Sequence, residues 1–234
     1  MQISELGLSI AYNDQLNPLL WDGDQLKLEV RYKLLDIAHN FIEFINVKPL
    51  QLRDVTISGS NASYGYSNSS DIDLHLIVAT PSRDYLQLFD AKKNQFNSEH
   101  DIKIRGIDVE VYVQPKDDPH HSLGIYSVLD DRWITQPKYD KPNIDSKEVR
   151  AKARNYSSKI NYALQSKDLD QIMIIWSDLK RLRQAGLETG GEYSIENLAF
   201  KHLRNKGKIG KLSKYIKKLK SERLSLEGMQ HENK

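Results

Sequence analysis

Two aspartates one residue apart, Asp71 and Asp73, stand in a run that is otherwise apolar or aromatic: Ile72, Leu74, His75, Leu76, Ile77 and Val78. Along a strand, successive side chains point to opposite faces. Asp71, Asp73 and His75 then share one face, and Ile72, Leu74 and Leu76 share the face that packs on a core. Packing gives no reason to hold two like charges side by side. A divalent cation between them does, because hard cations take carboxylate oxygens. Upstream, at the end of the strand-like Thr56-Ile57-Ser58, comes Gly59-Ser60. Glycine permits close backbone approach and unusual φ, and Ser60 offers a hydroxyl and an N–H. A helix opening after Ser60 would aim its free N–H groups at a phosphate. Carboxylates for a metal beside a turn suited to phosphate describe chemistry on a metal-bound phosphoryl substrate.

A later stretch also carries carboxylates on one strand face. Residues 101–114 read as a hairpin turning near Gly106, with Ile107, Val109, Val111 and Val113 on one face and Asp108, Glu110 and Tyr112 on the other. Asp108 and Glu110 thus share the polar face; Asp108 also suits a turn.

Gly59-Ser60, ten residues, then Asp71-Ile72-Asp73 between apolar residues resembles the signature of the DNA polymerase β-like nucleotidyltransferase superfamily. The match covers residues 59–73 and departs at Ser58, where the pattern usually carries an apolar residue. Trp21-Asp22-Gly23-Asp24, residues 70–75, Val109-Glu110-Val111-Tyr112-Val113 and residues 190–200 also resemble predicted nucleotidyltransferases of large tailed bacteriophages. The resemblance implies an α+β fold, a mixed β-sheet with flanking helices followed by an all-α C-terminal region. It implies that Gly59, Ser60 and Ser70 bind the triphosphate of an NTP, with ATP the expected donor. Asp71, Asp73 and Glu110 would hold two Mg²⁺ ions, and it favours Glu110 over Asp108 as the third carboxylate. The activity implied is transfer of an NMP to an acceptor hydroxyl, with RNA or a tRNA end as one acceptor. The alternatives are nucleotidylation of a protein or small molecule, or a non-catalytic binding module of the same fold.

The elements that must position these residues are legible as patterns. Val30, Leu34, Ile37, Ala38, Phe41, Ile42 and Ile45 recur at helical spacing and predict a helix over residues 24–46, ended by Pro49. Before it, residues 1–23 read as an arm anchored by Leu19, Leu20 and Trp21. Strands are expected over residues 54–58 and 71–78, with a break at residues 79–82. Ser82 is placed as N-cap of a helix over residues 83–97. Two short strands, residues 124–129 and 132–135, flank an Asp-Asp turn. Residues 137–143, with two prolines, mark a boundary between a catalytic domain, residues 1–140, and a helical domain, residues 141–234. Four helices follow. One carries Val149, Ala153, Tyr156, Ile160, Ala163 and Leu164, and a second Leu169, Ile172, Ile175, Trp176, Leu179 and Leu182. Gly190-Gly191 precedes a third over residues 194–205, and Gly207 and Gly210 precede the last.

The absence of cysteine excludes a disulfide, a thiolate metal site and a Cys nucleophile. No secretory signal and no apolar run near ~20 residues is present, so the expected location is a cytoplasm, that of the host if the gene is a phage's, with no membrane partner. Charge is uneven. From Lys201 to Arg223 there are ten Lys/Arg and one acid, Glu222, an excess of nine in a chain of net charge +2, which leaves the remainder acidic by seven. That segment either presents a solvated lysine face or contacts RNA phosphates. Lys180, Arg181 and Arg183 read as a helix end within reach of a triphosphate, Tyr64 and Tyr66 as packing or base-stacking rings, and His120-His121 as a loop.

Overall fold

The computed structural model describes residues 12–47, 50–79, 82–118, 122–139 and 144–225. Pro49, the Thr80-Pro81 break, His120-His121, the first eleven residues of the arm and the end of the 137–143 linker lie outside them. The chain divides into two compact units, Ala11–Lys141 and a second whose described residues fall within Pro142–Lys234.

The first unit opens with a two-residue ladder, β1 (Trp21–Asp22) on β2 (Gln25–Leu26), closed through Gly23 at φ 60. Helix α1 runs Leu28–Ile45. It starts four residues later than its apolar period suggests because the Asp22-Gly23-Asp24 turn spends those residues on the ladder. It ends on Asn46 in the left-handed region, whose N–H donates to Ile42 O. Strands β3 (Leu52–Ser58) and β4 (Ile72–Val78) are antiparallel, with the Gly59-Ser60 turn at the start of their connection. Helix α2 (Arg83–Glu99) then crosses over so that β6 (Ile107–Pro115) lies parallel to β4, the connection that parallel pairing requires. Ser82 stands at its N-cap but makes no capping bond. Strand β5 (Lys103–Ile104) pairs with the start of β6 through Arg105 and Gly106, both at positive φ. Strands β7 (Ile125–Ser127) and β8 (Arg132–Thr135) complete a six-stranded mixed sheet in the order β5-β6-β4-β3-β7-β8.

One face of this sheet is apolar. Ile72, Leu74, Leu76, Val109 and Val111 are buried in a cluster with Phe41 of α1 and Phe96 of α2, whose rings meet at 4.9 Å. Trp21 anchors the preceding segment: it stacks on Trp133 at 4.7 Å and meets Tyr126 edge-on at 5.1 Å. Arg31 ties α1 to the β7–β8 turn, donating to the carbonyls of Val128 and Leu129 at 2.8 Å each.

The second unit is all-helical: α3 (Ser146–Ser166), α4 (Leu169–Gly190), α5 (Ile195–Asn205) and α6 (Lys208–Leu224). Its core includes Val149, Ile160, Ile172, Leu179, Leu198, Leu212 and Ile216. Asp145, Asp168 and Ser194 cap α3, α4 and α5 by accepting from their first N–H groups. Gly207, at φ 70, precedes α6, whereas Gly210 lies inside the helix. The fold is thus α+β, a mixed sheet with flanking helices and then helices alone. No described helix is long and apolar enough to cross a membrane.

Candidate metal centre

Register decides which carboxylates meet. In the β3–β4 ladder Ser58 lies opposite Asp73, and in the β4–β6 ladder Asp73 lies beside Glu110. The pleat turns all three to the face opposite Ile72, Leu74, Val109 and Val111. Neighbouring strands lie about 4.8 Å apart, so paired residues on one face are within ligand-sharing distance. Asp71, two residues before Asp73, joins them from the strand's entry. One carboxylate oxygen of each of Asp71, Asp73 and Glu110 lies within 4.8 Å of the others. The aspartates are half-buried and Glu110 is exposed. Asp108 is not in this group: it faces Lys103 across the β5–β6 hairpin and forms an ion pair with it.

The turn beside the carboxylates is tight. Gly59 has φ 73 and ψ −156, a region only glycine adopts readily. A Cβ there would lie 2.1 Å from Asp73 Oδ2. The backbone of Gly59 therefore occupies the space against the carboxylate that any side chain would fill. Ser60 opens a single 3-10 turn, Ser60–Ala62, rather than the helix the sequence suggested. What this corner offers is the Gly59 backbone and the Ser60 hydroxyl rather than a helix terminus. Ser60 Oγ donates to Ser70 Oγ at 2.9 Å, which also accepts from Ser67 N at 2.9 Å, so Ser60 and Ser70 form one corner.

Several residues with no sequence signal hold this geometry. Buried Asn61 donates from Nδ2 to Asp71 O at 2.8 Å, accepts from Asn17 Nδ2 at 2.8 Å, and offers its carbonyl to Trp21 Nε1 at 2.8 Å. The segment before α1 is thereby fastened to the aspartate loop. Asn97 of α2 bonds both N and O of Val111, at 3.0 Å each, on the edge of β6 that β5 leaves uncovered. That pins the strand between Glu110 and Tyr112. Gly124 is a second close approach, since a Cβ there would meet Ala62 O at 1.9 Å.

The next rung of the sheet runs Thr56, His75, Tyr112. His75 Nε2 lies 3.2 Å from Ser58 Oγ. Its ring stacks on Tyr112 at 5.1 Å and 20°. The Tyr112 hydroxyl donates to Glu110 Oε2. Burial, that hydrogen bond and the negative field of Asp73, Glu110 and Asp71 raise the Tyr112 phenol well above the ordinary tyrosine value, so it remains a donor. Tyr64 is engaged in packing, edge-on to Tyr139 at 5.3 Å. Lys180, Arg181 and Arg183 lie within α4, several turns' residues before its end at Gly190. There Lys180 covers Trp176, Arg181 pairs with Asp178 and Arg183 covers Phe200. The sequence placed that helix end too early because Gly190-Gly191 closes the helix only after a polar stretch without apolar period.

No family model and no curated protein matches the chain. Among solved structures, a STING-associated CdnE c-di-GMP synthase from Capnocytophaga granulosa matches at 13% sequence identity and a TM-score of 0.25, over 84% of this chain and 82% of that one. A likeness of that degree carries no argument about this chain, and the functional reading rests on the site.

Proposed function

We propose that the chain is a Mg²⁺-dependent nucleotidyltransferase, with residues 1–140 as its catalytic domain, that moves AMP from ATP to an acceptor hydroxyl. The observation that carries this reading is the convergence of Asp71, Asp73 and Glu110 within 4.8 Å beside the Gly59-Ser60 turn. The donor set fits the metal: three carboxylates, with no nitrogen or sulfur in the group among the described residues, suit a hard cation that also binds phosphate. In this reading Asp71, Asp73 and Glu110 would hold two such ions. When bound, such ions offset the charge that grows on the attacking and leaving oxygens of an in-line displacement.

The chain's own groups orient and move protons. The Gly59 backbone and the Ser60–Ser70 hydroxyl corner hold the triphosphate. The acceptor oxygen bonds to the α-phosphorus, the bond from that phosphorus to the bridging oxygen breaks, and pyrophosphate leaves with the electron pair. Glu110, the exposed carboxylate of the three, takes the acceptor's proton.

RNA is the acceptor class that one feature of the helical unit favours. Helix α6 exposes Lys211, Lys214, Lys217, Lys218 and Lys220 while it buries Ile209, Leu212 and Ile216. A cavity of about 330 Å³ between α4 and α6 is lined by Trp176 together with Lys217 and Lys220. Lysines beside an indole are the groups on which single-stranded nucleic acid is held and stacked. Incubation with each α-labelled NTP, Mg²⁺ and total tRNA, with and without the RNA, tests the reading. Label passing from ATP to RNA is the expected result. Label on a protein or a small molecule replaces the acceptor and leaves the chemistry. No transfer from any NTP to any of these overturns the enzyme.

A further inference from the structure

We propose that Tyr112 is the positioning residue of the centre: its hydroxyl fixes the Glu110 carboxylate in the orientation that a metal ion requires. The inference rests on the reading above, in which Glu110 is a ligand.

The three carboxylates are not alike. Asp71 and Asp73 are short and half-buried, and one of them lies against Gly59. Glu110 is longer by a methylene and exposed, so it has more rotamers to lose on binding an ion. Packing does not select one of them. The Tyr112 hydroxyl does, by occupying Glu110 Oε2 and leaving the other oxygen as the ligand atom.

Tyr112 can do this because it is itself held. It lies two residues along β6 on the same face as Glu110, its ring stacks on His75, and Lys93 Nζ stands 5.3 Å from its centroid. Asn97 secures the intervening Val111 on both backbone atoms. The rung Thr56-His75-Tyr112 thus reaches back to the rung Ser58-Asp73-Glu110 at both ends, through His75 to Ser58 and through Tyr112 to Glu110. Ser58, the one position at which the turn departs from the apolar pattern, has its place here as the partner of His75. Hydrogen-bond partners of metal ligands commonly change metal affinity by ~10–100-fold when removed.

The test uses the full chain and Mn²⁺ as probe, with binding followed by electron paramagnetic resonance and nucleotidyl transfer measured in parallel. Tyr112→Phe keeps the ring on His75 and removes only the hydroxyl. It is expected to weaken Mn²⁺ binding by ~10-fold or more and to lower kcat while the KM for ATP stays near wild type. In a Glu110→Gln background the same change is expected to have no further effect, since the hydroxyl acts through that carboxylate. An equal loss in both backgrounds, or wild-type Mn²⁺ binding by Tyr112→Phe, overturns the proposal. Glu110→Asp, at an exposed position, is the second variant: it keeps the charge but withdraws the carboxylate from the hydroxyl. Wild-type Mn²⁺ affinity in that variant also overturns the proposal. Asp73→Asn separates the two levels. If it abolishes Mn²⁺ binding while Tyr112→Phe does not change it, positioning fails and the centre stands. If Asp73→Asn binds Mn²⁺ as wild type, the centre itself fails.

Discussion

At the scale of single residues, Asp71, Asp73 and Glu110 each bring one carboxylate oxygen within 4.8 Å of the others, a repulsion that a bound cation would relieve. Replacing Asp71→Asn together with Asp73→Asn is expected to reduce transfer by about two orders of magnitude or more, in line with removal of groups that stabilise developing charge. The circular dichroism spectrum should stay unchanged, because neither side chain belongs to the core. Mg²⁺ is expected to raise the Tm of the wild-type chain by mass action on the folded state and to leave the double variant where it is. A double variant that transfers as well as wild type removes the metal centre from the mechanism. Asp108→Asn serves as the contrast at this scale: it breaks an exposed pair with Lys103 and should leave transfer intact.

At the scale of elements, the site depends on a turn and on two asparagines. Gly59→Ala forces a side chain into φ 73 and toward Asp73. A strain of ~1–3 kcal/mol follows, with loss of transfer beyond what the stability change explains; thermal melts beside single-turnover assays separate the two. Asn61→Ala deletes bonds to Asp71 and Asn17 and is expected to cost ~1–3 kcal/mol. It should also depress transfer by loosening the aspartate loop; unimpaired transfer would mean that the loop holds Asp71 without it. Strand β4 was legible because its faces alternate, and it reads buried, half-buried, buried along its length as the sequence implies. The asparagines were not legible. A loop Asn61 and a helical Asn97 look like solvated polar residues until the tertiary fold brings Asp71 O and the open edge of β6 against them. The start of α1 was misplaced for a similar reason, since a two-residue ladder leaves no periodicity to read.

At the scale of the whole molecule, charge is divided between an acidic triad in the first unit and a lysine-rich helix in the second. Neutralising Lys211, Lys214, Lys217 and Lys218 to Gln should weaken RNA binding and reduce the slope of log K against log salt by up to ~3; an unchanged slope would make the helix a solvated face. A pH response is also expected of the second unit. Burial, with Lys206 and Arg150 nearby, holds the His202 imidazole below its ordinary 6.5. A group whose folded pKa is depressed contributes stability above its unfolded pKa and loses it as pH falls through the folded value. Stability of the chain should therefore fall on acidification below about 6.5, and His202→Gln should flatten that part of the profile of Tm against pH.

The amino-acid order alone determined the chemistry on offer and most of the elements. Alternation placed Asp71, Asp73 and Glu110 on polar strand faces, the Gly59-Ser60 spacing placed a glycine turn ahead of them, and helical periods outlined the second unit. Those are local properties, carried by residues within a few positions of one another. Tertiary structure decided the rest. Parallel register put Glu110 rather than Asp108 beside Asp73, and the turn after Gly59 closed as one 3-10 turn. Ser58, His75 and Tyr112 became neighbours of the triad. Pairing register is a relation between strands far apart in the chain, fixed by the burial of Ile72, Leu74, Val109 and Val111 against α1 and α2, and no short-range pattern contains it.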